Sequence, residues 1–225
     1  MPHIYMPCRK AEQWKDFLAD PELHWQTGFS ARTLAYSWSE ADGFPAEVDS
    51  VLRAAPLFRD IELLLAIPEH QVPLPGGVRP SQNDVWVLAR TGQEMVSIAV
   101  EGKVREPFDK PVREWRADAS PNKMRRLEFL AQTVALPISA LDDVHYQLLH
   151  RTASALLEAK RFRAAHAIML VHSFSREREH YSAFEQFVSL FGHQAQPDSV
   201  ISVAPRSEIA LHFAWITGNV DYLRR

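Results

Sequence analysis

The stretch Ser81–Val104, SQNDVWVLARTGQEMVSIAVEGKV, decides how this chain is read. Two apolar runs, Val85 to Ala89 and Met95 to Val100, flank Thr91-Gly92-Gln93-Glu94. With Gly92-Gln93 as a two-residue loop, glycine at its first position fits a type II′ hairpin turn. That turn fixes the register: residue 91 faces 94, 90 faces 95, and Asp84 faces Glu101. Val85, Val87 and Ala89 then share an aliphatic face with Val96, Ile98 and Val100. Asp84, Trp86, Glu101 and Lys103 fall on the other face. Carboxylates directly opposite on paired strands repel, so a positive charge belongs between them. A divalent metal and the ammonium of Lys103 are the two candidates.

Outward from the hairpin, the chain reads as alternating elements. Residues 1–40 form a helical lead-in, with Trp14, Phe17 and Leu18 at helical spacing. A helix follows Pro45, because Val48, Val51, Leu52 and Ala55 recur at i, i+3, i+4 and i+7. Residues 61–67 (IELLLAI) read as a buried strand, and Pro68 to Pro80, with four prolines and Gly76-Gly77, as a loop. Residues 105–120 are polar and irregular. Ser120-Pro121 opens a helix striped by Met124, Leu127, Leu130 and Val134, and a second helix covers Val144 to Arg161. Residues 166–174 (HAIMLVHSF) read as a strand buried on both faces. A helix carrying Tyr181, Phe184, Val188 and Phe191 follows, then a strand over 207–216 with Ile209, Leu211, Phe213 and Trp215 in alternation. The fold class expected is α/β, one domain over 1–225 with a single mixed central sheet flanked by helices. Its core lies at 45–175, and a C-terminal helix and strand occupy 176–225.

Asp at the start of one strand and Glu-X-Lys near the end of the next, here Asn83-Asp84 and Glu101-Gly102-Lys103, resemble the PD-(D/E)XK nuclease superfamily. Asn83 stands where the name-giving proline would. The wider chain also resembles an uncharacterised bacterial family of about this length. The nuclease resemblance implies a restriction-endonuclease-like core of helix, three strands, helix and strand. It implies a Mg²⁺- or Mn²⁺-dependent hydrolase of DNA or RNA phosphodiester bonds. Asp84 and Glu101 would bind the metal, the Gly102 carbonyl would complete the coordination, and Lys103 would assist. The helix before the strands often contributes an acid in such proteins, which points to Glu47. Some exonuclease-like members carry a Gln in the helix after the hairpin, which points to Gln147. Arg151 stands four residues on, where those relatives have Tyr.

Each assignment has a plainer counterpart. Asp84 and Lys103 could form an ordinary diagonal salt bridge on a solvated hairpin face. Glu47 could be an exposed helix carboxylate, with Glu62 and Glu69 as rival acids near the first strand. Glu69 reaches the site only if the Pro-Glu-His-Gln loop folds over it. Gln147, Arg151, Ser154 and Glu158 form one polar stripe, either a solvated helix face or, through Arg151, a bidentate phosphate contact. Lys123, Arg125 and Arg126, with Arg105 and Lys110, could make a local phosphate-binding patch. Trp86 could stack on a base, or serve as a partly buried aromatic.

Other chemistries are excluded or unsupported. No His pair has metalloprotease spacing. His145 and His150 do not share a helix face, and His166 and His172 suit satisfied core positions. Ser173 and Ser175 lack a Gly-X-Ser-X-Gly context. Gly76-Gly77 is too short for a phosphate-binding glycine loop, so nucleotide hydrolysis is not supported. Cys8 is the single cysteine, which leaves no disulfide framework and suits a cytoplasmic setting. The opening MPHIYMPCRK has no signal pattern, and no apolar run reaches the ~20 residues of a membrane span. A net charge of −3 rules out a generally basic coat, so nucleic acid would have to dock on a local patch. The strand at 207–216 could pair across a homodimer. The alternative to a nuclease is a non-catalytic interaction scaffold that kept the fold.

Overall fold

The computed structural model describes residues 10–118, 120–204 and 208–225. Cys8, the first nine residues of the lead-in and Ser207 lie outside the described residues. The lead-in is a 3₁₀ helix over Ala11–Phe17, a helical turn at Pro21–His24 and α1, Ser30–Ser39. The helix expected after Pro45 is α2, Ala46–Ala54, burying Val48 and Leu52. A meander follows: β1 (Glu62–Val72), β2 (Ser81–Thr91) and β3 (Glu94–Lys103). Next come α3 (Pro121–Thr133), α4 (Tyr146–Phe162), β4 (His166–Ser173), α5 (Tyr181–Ser189), β5 (Ser199–Ser202) and β6 (Ala210–Thr217).

All six strands join one mixed sheet in the order β1-β2-β3-β4-β6-β5. The meander is antiparallel, β3-β4-β6 run parallel, and β5 closes the far edge antiparallel to β6. The parallel step from β3 to β4 needs a long crossover, which α3 and α4 supply. The Ser120 hydroxyl caps α3 by accepting the Lys123 N–H at 3.3 Å.

The register matches the hairpin reading from Thr91↔Glu94 to Val85↔Val100. Gly92 has φ +56°, the left-handed conformation required at the first loop position. The aliphatic set of Val85, Val87, Ala89, Val96, Ile98 and Val100 packs with Leu34, Trp38, Val48, Leu52 and Phe58, under α1 and α2. The opposite face is also covered: Ala99, Met169, Val171, Phe213 and Trp215 pack with Leu127, Leu130, Leu148 and Leu149 of α3 and α4. The sheet is thus the middle layer of three, and β4 is buried along its whole length.

Three expectations change. Residues 68–72, read as loop, continue β1, because β1 is an edge strand and an edge tolerates Pro68. β5 carries no periodic signal and was not expected. β6 is interior, with β4 on one side and β5 on the other, so neither of its edges is available for a second copy.

Candidate functional site

The β2–β3 pairing carries Asp84 and Glu101 to one end of the hairpin. One step beyond the last regular pair, Asp84 Oδ2 accepts the Gly102 N–H at 2.7 Å. The β1–β2 register runs Pro68↔Val85 and His70↔Asn83, which sets Glu69 opposite Asp84. Glu69 has φ +53°, a left-handed conformation uncommon outside glycine, and Gln82 Nε2 donates to its Oε2 at 2.7 Å. Three carboxylates therefore stand in a row across three neighbouring strands. They line a cavity of about 320 Å³ with Gln82, Lys103, Gln147 and Arg151. Phe29 and Ser30, at the start of α1, close another side.

α4 supplies the counter-charge. Gln147 and Arg151, one helical turn apart, both point at β3. Glu101 Oε1 accepts from Lys103 Nζ and from Gln147 Nε2, each at 2.7 Å, and Gln147 Oε1 accepts from Lys103 Nζ at 3.0 Å. Arg151 Nε donates to Glu101 Oε2 at 2.6 Å, and its Nη2 lies 3.8 Å from Asp84 Oδ1. The positive charge required between the carboxylates is therefore an arginine as well as the lysine. Arg151 Nη1 also reaches Ser81 Oγ at 3.3 Å, tying α4 to the first residue of β2. Arg151, Ser154 and Glu158 are all buried, so the polar stripe faces the sheet and is not a solvated face.

Three carboxylates meet only two cations. Burial pushes Asp84 up, Glu101 beside it adds to this, and the group rises to about 7. Glu69 rises to about 8, from burial first and then from Asp84. Glu101 is buried as deeply, yet Lys103 and Arg151 outweigh burial and hold it below its ordinary value. Glu101 is the satisfied acid of the row, while Asp84 and Glu69 carry the uncompensated charge. Asp84 keeps 21% of its side chain exposed towards the cavity.

Among the described residues no group of three or more His, Cys, Asp or Glu is arranged to hold a metal ion. The donor chemistry nevertheless fits a hard cation bound by one or two carboxylates with water completing its shell, the usual manner of Mg²⁺. Asp84 would be the accessible ligand for such an ion, with Glu69 and Glu101 on either side of it.

Glu47 is not part of this site. Its Oε1 accepts from His172 Nε2 at 3.0 Å and from the Asn219 N–H at 3.1 Å. His172 pairs with Gly102 in the parallel register, so its side chain lies on the α1–α2 face, opposite Glu101 and Lys103. Trp38 Nε1 donates to His172 Nδ1 at 3.2 Å, which leaves the proton on Nε2, directed at Glu47. Glu62 pairs with Arg90 at 2.6 Å near the other end of β1. Trp86 is fully buried between His70 and Phe162, each ring 5.0 Å away, and cannot stack on a base. A Cβ on Gly102 would lie 3.2 Å from Leu34 Cδ2 and 3.3 Å from Asp84 Oδ2, so any side chain there would press on both.

The sequence reading missed Gln82 and understated Arg151 and Glu69. The i, i+4 spacing puts Arg151 on the same helix face as Gln147, but neither that spacing nor Pro68 tells from sequence which face is covered or that β1 is an edge strand.

Among the described residues no helix is long and apolar enough to cross a membrane. No curated protein and no solved structure matches the chain. One family does match, over residues 7–220, and the chain therefore belongs to the family described as a domain of unknown function, DUF6946.

Proposed function

We propose that this chain is a metal-dependent phosphodiesterase of the PD-(D/E)XK kind, acting on DNA or RNA in the cytoplasm. The observation that carries the reading is the row of Glu69, Asp84 and Glu101 at one cavity, with Lys103 and Gln147 locked onto Glu101 and three carboxyl groups set against two cations. Asp84 and Glu101 would hold Mg²⁺ or Mn²⁺, with Glu69 beside them. When bound, the ion neutralises the row, polarises a phosphoryl oxygen and lowers the pKa of a coordinated water. Lys103, fixed between Glu101 and Gln147, presents its ammonium to the cavity wall and stabilises negative charge growing on a phosphate placed there. Arg151 presents a planar fork suited to a phosphate once it is released from the carboxylates.

A second reading has its own support. Both oxygens of Glu101 are already engaged by the chain's own donors, as expected of a structural ion network in a non-catalytic scaffold. One experiment separates the two. The purified protein is incubated with Mg²⁺ or Mn²⁺ and single- and double-stranded DNA and RNA, beside Asp84→Ala and Lys103→Ala. Metal-dependent cleavage lost in both variants supports the nuclease. No cleavage together with no Mn²⁺ binding by calorimetry refutes it in favour of the scaffold.

A further inference from the structure

A second cleft, of about 650 Å³, opens between the Gly76-Gly77 turn and the first turns of α3. Its floor is Arg126, only 8% exposed. The guanidinium donates to two backbone carbonyls, Nε to Pro75 at 2.9 Å and Nη2 to Leu74 at 3.4 Å. Among the described residues it has no carboxylate within ion-pair distance. Carbonyls orient the plane but leave its charge uncompensated, and a buried charge without a counter-ion is costly. A guanidinium held in this way is oriented to bind an anion that enters the cleft.

The glycines explain how the cleft is built. A Cβ on Gly76 would come within 2.1 Å of the Asn122 carbonyl, and one on Gly77 within 3.1 Å of Arg126 Nη2. The turn can lie flat on α3 only because Gly76 has no side chain, and a side chain on Gly77 would press on the Arg126 guanidinium. Arg79 and Lys110 stand exposed on the rim with no ion-pair partner among the described residues. Lys123 is neutralised by Asp118. Asp109 and Glu114 also line the cleft, so Arg79, Lys110 and Arg126 outnumber the two remaining acids by one. The start of α3, thirteen residues long, adds the positive end of its dipole. Of the basic positions picked out by sequence, Lys110, Lys123 and Arg126 meet here, whereas Arg105 lines a different pocket.

We propose that this cleft is a phosphate-binding subsite taking the backbone of a nucleic acid that runs into the Asp84–Glu101 cavity. The identity of the ligand rests on the nuclease reading; the anion chemistry does not. The two cavities are joined by one short loop. Glu106 and Pro107 line the first, and Asp109 and Lys110 line the second. The loop is pinned at both ends, by the Ser30 N–H on Glu106 Oε1 at 2.8 Å and by the Tyr146 N–H on the Lys110 carbonyl at 3.0 Å. From Glu106 to Lys110 the chain reaches at most about 14 Å, or about four nucleotides at duplex rise.

The test measures binding, in EDTA, so that turnover plays no part. Fluorescence anisotropy follows a short labelled single strand and its duplex across a salt series, with inorganic pyrophosphate as competitor. The variants are Arg79→Glu/Lys110→Glu, which alter only rim side chains, and Arg126→Gln, checked for folding by circular dichroism. Arg125→Glu, exposed on the same helix but outside the cleft, controls for bulk charge. The expected result is about a tenfold or greater loss of affinity in the rim double variant, with a salt slope shallower by roughly 1.5, and no such loss in Arg125→Glu. Equal affinity and slope in the double variant and the native chain would overturn the proposal. So would a loss as large in Arg125→Glu. Pyrophosphate binding that the rim variant loses, with no oligonucleotide binding by the native chain, would overturn the nucleic-acid occupant while leaving an anion site. Oligonucleotide binding lost in the rim variant supports the subsite even if the native chain never cleaves.

Discussion

Replacing Arg151 by methionine removes the one cation among the described residues that lies within ion-pair distance of both Asp84 and Glu101. The native guanidinium lies 2.6 Å from Glu101 Oε2 and 3.8 Å from Asp84 Oδ1. At an effective dielectric of ~20, a pair 3.8 Å apart is worth about 4 kcal/mol before desolvation. Breaking a buried pair by deleting one partner costs about 3–5 kcal/mol. Glu101 keeps Lys103, and Asp84, already raised to about 7, can take up a proton. Both effects place the expected loss at the low end, about 3 kcal/mol. The same deletion unmasks two carboxylate oxygens for a divalent ion. Mn²⁺ affinity should therefore rise by about tenfold or more, since each 1.4 kcal/mol of relieved competition is a factor of ten. Saturating Mn²⁺ should return about 2.7 kcal/mol at one hundred times its Kd. Urea unfolding with and without Mn²⁺, beside calorimetric titration at neutral pH, reads both effects. If Arg151→Met binds Mn²⁺ no more tightly than the native chain, and Mn²⁺ restores none of its stability, Arg151 does not occupy a cation position and the reasoning is wrong.

Four further outcomes are expected. Asp84 and Glu69 titrate at about 7 and about 8 in the folded chain, against 3.8 and 4.5 as ordinary values. Folding therefore takes up protons between these limits, and stability should fall as pH rises from about 4 to about 8; a Glu69→Gln variant whose unfolding free energy follows the native pH slope would contradict this. Divalent ions compete with the same protons, so Mn²⁺ affinity should climb across pH 6 to 8, by up to about tenfold per unit. Glu47→Ala should leave Mn²⁺ binding unchanged and cost about 1–3 kcal/mol by stripping the acceptor from buried His172, and loss of metal binding would return Glu47 to the site. Gly102→Ala should cost about 1–3 kcal/mol through overpacking against Leu34 and weaken Mn²⁺ binding by displacing Asp84, which thermal unfolding and calorimetry would register.

The hairpin was legible because two independent signals agreed. The alternation of Val85, Val87 and Ala89 fixed the faces, and Gly92 fixed the register. The convergence of Gln147 on Glu101 was legible only by resemblance, since a polar stripe on a helix says nothing about which way the helix faces. That ambiguity hid Arg151: a sheet buried on both faces turns a polar stripe into an ion network, and no local pattern reveals the second covering layer. Glu69 was obscured by Pro68, which reads as a strand breaker except at an edge, and edge position is a property of strand order rather than of local sequence. Glu47 misled for the converse reason. Its helix precedes the strands as expected, but packs on the face where His172, not Glu101, is presented. The short β5 follows Pro197-Asp198 with only four residues, too few for a period to show.

The left-handed Glu69 beside Pro68 has a consequence beyond the cavity. β1 is eleven residues long and lies at the rim of the sheet, where an uninterrupted row of peptide groups would template the addition of a foreign strand. Pro68 removes one peptide donor, and the reversed φ at Glu69 interrupts the regular extended backbone beside it while the pairing with β2 keeps its register. The same two residues that bring a third carboxylate to the row therefore also guard the chain against self-templated aggregation. Straightening this segment to tidy the fold would at once empty the site of Glu69 and leave a sticky rim.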